Sequence, residues 1–460
     1  MKNTKSLLKK LSRVAAIGLA LLCASPLSAQ EPSPKRQFNL DLPLLDMPFN
    51  AKTRGTVPSM SQSIAVSRTF YDLAHLGLES TFDLNPRASG WEGFKSRFAY
   101  AFSDFFLLHK LPGGQAWVHE EWHRAVMANR GVASYNDVYN LKLFSSLIAV
   151  SHESDSDLVA LKRDHPADQV RLAAAGMEAE HALAQDLESD TFFNENPSYR
   201  VFLLWSLNTS PIGYLGACAS DTADKETDKQ NQADGGSIPK RDFIGFDCTG
   251  WIRDLNRPEE SFAARGTHPS GVGINRYTKF SDLTATEKDY LRLNRNLSYL
   301  NLINPFMFLR NAFQGGGLFG ENEARYNMNL RHDLTSFGTS LSANMFYASS
   351  FLKTRATLFA YHNHLNWYPG MEINVLDLPV PGSVDWLASV RAQLWQQPKN
   401  FSFHTKDAME GGLLGVKLAY NRFTYTNPYI SLTGKTRGWV SGEVEQEKNL
   451  STIVGVTSRL

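Results

Sequence analysis

The sequence has almost no net charge. Its 460 residues include 47 lysines and arginines against 46 aspartates and glutamates, so the formal net charge is +1. Proteins that bind nucleic acid normally carry a basic excess or a basic stripe. The balance therefore argues against nucleic acid as a partner, and it gives no indication of a strongly charged substrate.

Several motifs with well-defined chemistry are missing. The sequence contains no P-loop, no dinucleotide-binding fingerprint and no nucleophile elbow of the serine hydrolases. Long apolar runs are also scarce. Residues 14–22 are apolar but too short to cross a bilayer, and the longer apolar stretch 199–217 is interrupted by Asn208-Thr209-Ser210-Pro211. It therefore makes a poor transmembrane helix.

Cysteine is rare, with three in the chain. Cys23 lies in segment 1–29, which has the basic start, the short apolar stretch and the small final residue, Ala29, of a secretory signal. We expect export and cleavage after Ala29. The remaining pair, Cys218 and Cys248, then folds in an oxidising compartment. We predict that this pair forms a disulfide across a polar, solvent-exposed loop, residues 219–247.

The rest of the chain divides into three regions by sequence pattern. Residues 30–60 contain proline and asparagine without periodic apolar positions and predict an extended arm. Residues 61–318 are mainly helical, because apolar residues recur at intervals of three and four. The clearest helices cover about residues 61–77, 91–109, 115–130 and 167–188.

Residues 319–460 change to an alternation with period two, which predicts about eight antiparallel strands. The expected fold class is therefore α+β. Long strands with one apolar and one polar face resemble those of outer-membrane β-barrels, and residues 427–440 look like a strand with an aromatic girdle. The resemblance implies a membrane anchor in the outer membrane. The alternative is a soluble β-sandwich in the periplasm, whose strands alternate in the same way.

The residues that carry chemistry are His119, Glu120 and His123, in the pattern HExxH on a predicted helix. Two histidines four residues apart project from one helix face, at a separation that suits two ligands of a tetrahedral zinc ion. Glu120 lies about 100° around the helix. Its carboxylate is then placed to take a proton from a zinc-bound water without binding the metal.

This motif resembles that of the zincins, the HExxH zinc metallopeptidases. The resemblance implies that His119 and His123 bind Zn²⁺ and that Glu120 is the general base. The third histidine of the metzincin type is replaced here by Asn129. The gluzincin type takes its third ligand from a glutamate on a later helix.

Glu178, followed by Ala182, is similar to the ExxxA pattern of the gluzincins. The small residues 173–176 before it would let two helices approach closely. Glu178 is therefore our predicted third ligand, with Glu180 and His181 as alternatives. An oxyanion-stabilising group is also expected, and Tyr135, Tyr139 and His181 are possible.

We therefore expect an exported zinc-dependent hydrolase that acts on a peptide or lipid-linked substrate at a membrane. The class that the motif favours is a metallopeptidase. One alternative is an outer-membrane β-barrel protein for transport, adhesion or assembly, with a non-catalytic metal-binding helical module. A second alternative keeps the zinc hydrolase but changes its substrate to a lipid or a cell-wall amide.

Overall fold

The computed structural model describes residues 39–86, 88–141, 149–194, 199–318, 321–423 and 426–459. The predicted signal segment 1–29 and the start of the predicted arm lie outside these residues. The part of the predicted extended arm that is described has regular secondary structure. It forms strand β1, Asn39–Met47, and the short helix α1, Phe49–Thr53.

The predicted helices are confirmed with small changes in their bounds. The remaining helices in the described part of the chain are α2 (Met60–Phe82), α3 (Gly90–Phe102), α4 (Gln115–Asn129), α5 (Asp155–Asp164), α6 (Pro166–Phe193), α7 (Val201–Cys218), α8 (Asp221–Asp234), α9 (Asp247–Asn256) and α10 (Ala285–Leu297). Helix α3 continues directly into a π-helical turn, Ser103–Leu107. Among the described residues, no helix combines the length and the apolar character needed to cross a bilayer.

The strands form one large antiparallel sheet and one small one. After β1 the strands are β2 (Tyr135–Asn136), β3 (Val150–Ser151), β4 (Phe313–Gly315), β5 (Ala324–Thr335), β6 (Gly338–Ala348), β7 (Lys353–His362), β8 (Trp367–Pro379), β9 (Trp386–Pro398), β10 (Ala408–Tyr420), β11 (Asn427–Lys435) and β12 (Asn449–Arg459). Strands β2 and β3 pair with each other. The other ten form a sheet in the order β1-β12-β11-β10-β9-β8-β7-β6-β5-β4.

The α+β fold class is therefore confirmed, and β5 to β12 supply the predicted set of about eight strands. Two finer expectations are not met. The sheet has two ends, β1 and β4, so it is not closed into the predicted barrel. The sandwich alternative also fails, because the ten strands belong to one sheet. The unforeseen strand is β1, which pairs with β12 from Asn39 opposite Arg459 to Met47 opposite Thr452.

The large sheet has a reversed polarity, in that one face carries buried charged side chains and the other carries exposed apolar ones. In β8, Trp367 and Ile373 are exposed, whereas Glu372 is buried. Its carboxylate lies 2.9 Å from the guanidinium of Arg355 and 2.8 Å from that of Arg391. Other strands expose apolar side chains in the same alternation, including Met328, Met345, Leu358, Leu394, Leu414, Val416, Ile430, Leu432 and Val454. The sheet thus turns its charged side inward and its apolar side outward.

Helix α6 lies against the inner, polar face of this sheet. Its Glu188 is buried and accepts hydrogen bonds from Arg331 Nη2 at 3.0 Å and from Asn329 Nδ2 at 2.9 Å, both on β5. A buried carboxylate needs such partners, because its desolvation is otherwise costly. Buried polar contacts between helix α6 and β5 therefore join the predicted regions 61–318 and 319–460.

Candidate metal centre

The HExxH residues lie on α4, which begins after Gly114 and is buried along nearly its whole length. His119 and His123 project from the same face, as predicted, with their ring centroids 5.0 Å apart. His123 is almost fully buried, whereas the side chain of His119 is 15% exposed. His123 is thus enclosed by the protein, whereas His119 is partly accessible to solvent.

The structure adds a third residue to this pair, Asp247. Its Oδ2 lies 3.1 Å from Nε2 of His119 and 3.4 Å from Nε2 of His123. Each of the three residues offers one ligand atom, and these atoms all lie within 4.8 Å of one another. Two imidazole nitrogens and one carboxylate oxygen are a typical donor set for zinc.

The outer nitrogens of both histidines are occupied. Nδ1 of His119 lies 3.0 Å from Oε1 of Glu180, and Nδ1 of His123 donates to the carbonyl oxygen of Leu172 at 2.6 Å. In metal sites, a ligating histidine usually donates its other ring N–H to a carboxylate or a carbonyl. Nε2 of His123 is buried and has no hydrogen-bond partner. Both rings therefore present Nε2 to the centre of the cluster, in the orientation that metal binding requires.

Asp247 is fixed at the first position of α9 by two attachments to α7. Its backbone N–H donates to the hydroxyl oxygen of Tyr214 at 3.0 Å. The next residue, Cys248, forms the predicted disulfide with Cys218, one turn after Tyr214 on α7. The disulfide therefore anchors the residue that completes the cluster.

The segment enclosed by the disulfide differs from the predicted exposed loop. It contains helix α8, and its last part carries the buried side chains of Phe243 and Ile244. The ring of Phe243 packs against that of His123 with centroids 4.9 Å apart. The last part of segment 219–247 therefore lines the cluster of His119, His123 and Asp247.

The electrostatics of the cluster favour a cation. Burial raises the pKa of Asp247, but His123 and His119 outweigh it and bring the pKa down to about 2. Burial lowers the pKa of His119, yet its hydrogen bonds to Asp247 and Glu180 hold the pKa well above the ordinary value. The carboxylates thus stabilise positive charge at the histidines. A divalent cation bound between the three residues would be stabilised in the same way.

Glu120 is buried beside the cluster and is not one of its three members. Burial raises the pKa of its carboxyl, although the nearby His119 and His123 oppose this effect. A second buried carboxyl, Asp242, has its pKa raised well above the ordinary value by burial and by the charges of Glu120 and Asp247. A basic carboxylate next to a metal centre is suited to accept a proton.

The residue predicted as the third ligand, Glu178, lies elsewhere. Its carboxylate accepts a hydrogen bond from Arg171 Nη2 at 2.9 Å and another from the Gly442 amide at 3.1 Å. His181, one alternative, has Nδ1 2.5 Å from Oδ1 of Asp333. Neither residue belongs to the His119, His123 and Asp247 group.

Glu180, the other alternative, does reach the site, but as the partner of Nδ1 of His119. It also accepts a hydrogen bond from the Ser210 hydroxyl at 3.3 Å. Helix α6 therefore does supply a carboxylate next to the histidines, as predicted. That carboxylate belongs to Glu180, which contacts His119 and is not a member of the three-residue cluster.

Of the three groups considered for oxyanion stabilisation, the two tyrosines pack together, Tyr135 against Tyr139 with ring centroids 6.0 Å apart. The tyrosine that does meet the cluster is Tyr214, whose ring is 6.3 Å from that of His119. Sequence reasoning missed both Tyr214 and Asp247. The one available signal was the position of Asp247 directly before Cys248.

Comparison of the chain with protein-family models, with curated proteins and with solved structures finds no match. The functional argument therefore depends on the chemistry of the site. That site offers two imidazole nitrogens, one carboxylate oxygen, a hydrogen-bonded outer shell and an adjacent glutamate.

Proposed function

We propose that this protein is an exported zinc-dependent hydrolase, with a metallopeptidase as the preferred class. The observation that carries the proposal is the convergence of His119, His123 and Asp247 within 4.8 Å. Three protein ligands are the usual number in catalytic zinc sites, which keep the fourth position for water or substrate. A zinc ion held there supplies a Lewis acid and lowers the pKa of a coordinated water to about 7.

In this proposal Asp247 replaces Glu178 as the third ligand. Glu180 orients His119 through its Nδ1, and the carbonyl of Leu172 does the same for His123. Glu120 takes the proton of the attacking water and passes it to the leaving group, because its carboxylate is buried and basic. The resemblance to the zincins supports this assignment at the level of the HExxH motif.

The first experiment measures metal content and hydrolysis together. Purified full-length protein should contain about one zinc per chain by mass spectrometry, consistent with a single three-ligand site. Glu120→Gln should keep the zinc and lower hydrolysis of fluorescent casein or of a micellar lipopeptide by roughly 10²–10⁴-fold. Glu92→Gln, a matched change of an exposed glutamate, should leave both quantities unchanged.

Two outcomes would contradict the proposal that this protein is a zinc-dependent hydrolase. One is a Glu120→Gln protein with full hydrolytic activity. The other is a wild-type protein that holds zinc but cleaves neither casein, the lipopeptide nor purified peptidoglycan. The second outcome would favour the alternative, a membrane protein with a non-catalytic metal module. Cleavage of peptidoglycan or of the lipopeptide alone would favour a lipid or cell-wall amide as substrate.

We also propose that the ten-stranded sheet anchors the protein in the outer membrane. Support comes from its reversed polarity, with Trp367 and Ile373 exposed and Glu372 buried between arginines. Its longer strands have 9–13 residues, close to the 9–11 that a tilted strand needs to cross a bilayer. In cell fractionation the full-length protein should sediment with outer membranes. Complete recovery in the soluble periplasmic fraction would contradict the anchor.

A further inference from the structure

Helical segments contact the ten-stranded sheet at β1 and at β5, close to its two ends. At β1, the side chain of Gln62 on α2 donates to the backbone carbonyl of Leu44 at 3.3 Å. At β5, the Leu330 amide donates to the Ile303 carbonyl at 3.0 Å. Open sheet edges do not occur in lipid, because their backbone groups find no water there. At these positions the helical segments provide the partners that lipid cannot.

The same helices connect one end of the sheet to the other. Helix α2 packs on β1, and its His75 Nε2 lies 2.7 Å from Oδ1 of Asp104 in the π-helical turn after α3. Helix α3 in turn contacts α7. The Trp205 indole of α7 donates to the carbonyl of Met307 at 2.8 Å, next to β5. Sheet and helices therefore form one continuous wall, with α6 on its inner side.

The helical part of this wall has the same reversed polarity as the sheet. Between residues 60 and 78, the acidic and basic side chains of α2 are those of Arg68 and Asp72, and both are buried. Arg68 pairs with Asp190 of α6 at 2.9 Å, and Asp72 pairs with Arg200 at 2.6 Å. The outward residues of α2 are apolar and exposed, namely Val66, Leu73 and Leu76. Intramembrane charges in proteins face the interior in this way.

Helix α3 and the π-helical turn after it carry a row of neighbouring aromatic rings on their outer surface. We call this row the aromatic ladder: Trp91, Phe94, Phe98, Phe102 and Phe106. Consecutive ring centroids are 5.3, 6.4, 6.2 and 5.6 Å apart. The five side chains are 38% to 72% exposed. An apolar surface of this kind marks an interaction site, because soluble proteins rarely expose one.

The ladder has a polar end and an apolar end. Trp91 lies beside the exposed ion pair of Glu92 and Lys95, whose charged atoms are 2.7 Å apart. From Phe98 to Leu107 the one charged residue is Asp104, which is fully buried. Tryptophan is enriched where a membrane meets water, and apolar rings lie deeper. The order of residues along α3 therefore matches the change from headgroups to acyl chains.

We propose that the aromatic ladder and the outer face of α2 contact the acyl chains of the bilayer that holds the sheet. This inference rests on the membrane anchor proposed above. It assigns the helices as part of the lipid-facing wall, in place of a separate water-exposed module. The metal helix α4 follows the ladder closely, and its Ala116 amide donates to the His109 carbonyl at 3.0 Å. A membrane-bound substrate would then be within reach of the site.

The test uses a nitroxide spin label at single introduced cysteines in the full-length protein, reconstituted in vesicles of phosphatidylethanolamine and phosphatidylglycerol. Phe98→Cys and Phe106→Cys report on the ladder. Leu414→Cys reports on the outer face of the sheet, and Lys225→Cys on exposed α8. Cys218 and Cys248 are bonded to each other, so they do not take the label. Cys23 is replaced by alanine in every variant, because a retained segment 1–29 would be labelled there. Wild type labelled in parallel gives the background.

Collision rates with oxygen, which concentrates in acyl chains, are compared with those of water-soluble chromium oxalate. We expect the ratio at positions 98 and 106 to match that at 414 and to exceed that at 225 several-fold. Ratios at 98 and 106 like that at 225, with 414 still in lipid, would overturn the inference and leave the anchor intact. Ladder labels shielded from both reagents would indicate a protein partner and overturn it too. An aqueous label at 414 would contradict the anchor itself.

Discussion

The imidazole of His119 lies directly against the backbone of Gly176, where α4 crosses α6. A Cβ added at Gly176 would come within 2.1 Å of Nε2 and 2.3 Å of Cδ2 of His119. That ring is also held by Glu180 and Asp247 and has little room to move. The missing side chain at position 176 thus sets where the first predicted zinc ligand can lie.

We predict that Gly176→Ala displaces His119 and destroys the metal site. The zinc content of the purified variant should fall well below one per chain. Overpacking of this kind should also lower the free energy of unfolding by about 1–3 kcal/mol, measured by denaturant titration. The matched control is Gly216→Ala on α7, where no heavy atom lies within 4 Å of the added carbon. That variant should keep its zinc and gain up to ~1 kcal/mol, because alanine favours helix. Full zinc occupancy in Gly176→Ala would contradict the assignment of His119 as a ligand.

The candidate third ligands predict a graded loss of zinc affinity. Asp247→Asn replaces the charged carboxylate by a neutral amide, so its effect should be the largest and should exceed the roughly 10–100-fold caused by loss of an outer-shell partner. Glu180→Gln weakens only the partner of His119, so its effect should be about 10–100-fold. Glu178→Gln should leave the affinity unchanged.

Glu178→Gln should act on stability instead. It leaves the buried guanidinium of Arg171 without its charged partner, at a cost of about 3–5 kcal/mol. Competition with a fluorescent chelator measures the affinities, and thermal denaturation measures the stabilities. A larger loss of zinc from Glu178→Gln than from Asp247→Asn would restore Glu178 as the ligand.

The part of the site that was predictable from sequence is the part encoded locally. His119, Glu120 and His123 share a single helical turn, so spacing alone places them together. Asp247 is 128 residues from His119 and comes close only through the tertiary fold. The small residues 173–176 correctly predicted a close approach of two helices. They did not reveal which carboxylate of α6 would face the histidines.

We predict that Tyr214→Phe weakens zinc binding without removing a ligand. The variant keeps the aromatic ring against His119 and Phe246. It loses the hydroxyl that accepts a hydrogen bond from the Asp247 backbone amide. A buried N–H left without a partner costs about 1–3 kcal/mol, and this cost falls on the backbone that positions the Asp247 carboxylate. Zinc affinity by chelator competition should drop, while Tyr299→Phe, at an exposed position, should not change it. Equal affinities in the two variants would show that this hydrogen bond has no part in positioning Asp247.

Removal of the disulfide should affect the metal centre as well as the stability of the fold. Replacement of both Cys218 and Cys248 by serine should lower the free energy of unfolding by about 2–5 kcal/mol. Because Cys248 follows Asp247 directly, zinc affinity should fall too, even at temperatures where the variant is fully folded. The two effects separate by chelator competition performed far below the melting temperature. A variant with a lower melting temperature and wild-type zinc affinity would restrict the disulfide to a role in stability.

In the fold, too, the features encoded within one segment were predictable, and those that depend on distant segments were not. Helical periodicity gave α2, α3, α4 and α6, and alternation gave the strands from β5 onward, because each pattern lies within one segment. The pairing of β1 with β12 had no such signal. Residues 39–47 contain Pro43, and their alternation breaks at Leu44-Leu45. Their place in the sheet depends on a partner strand at 449–459. The reversed polarity likewise emerged only when Arg355, Arg391 and Glu372 were brought together.

The pairing of β1 with β12 has a consequence for biogenesis. Among the described strands, β1 is synthesised first and must wait for β12, so this sheet is completed only after residues 449–459 have been made. Until then, β1 carries an unpaired edge of the kind that recruits foreign strands. Chains that end before residue 449 should therefore depend on holdase chaperones and be degraded. Removal of residues 449–460 should therefore abolish accumulation of the protein, although α4 lies far upstream.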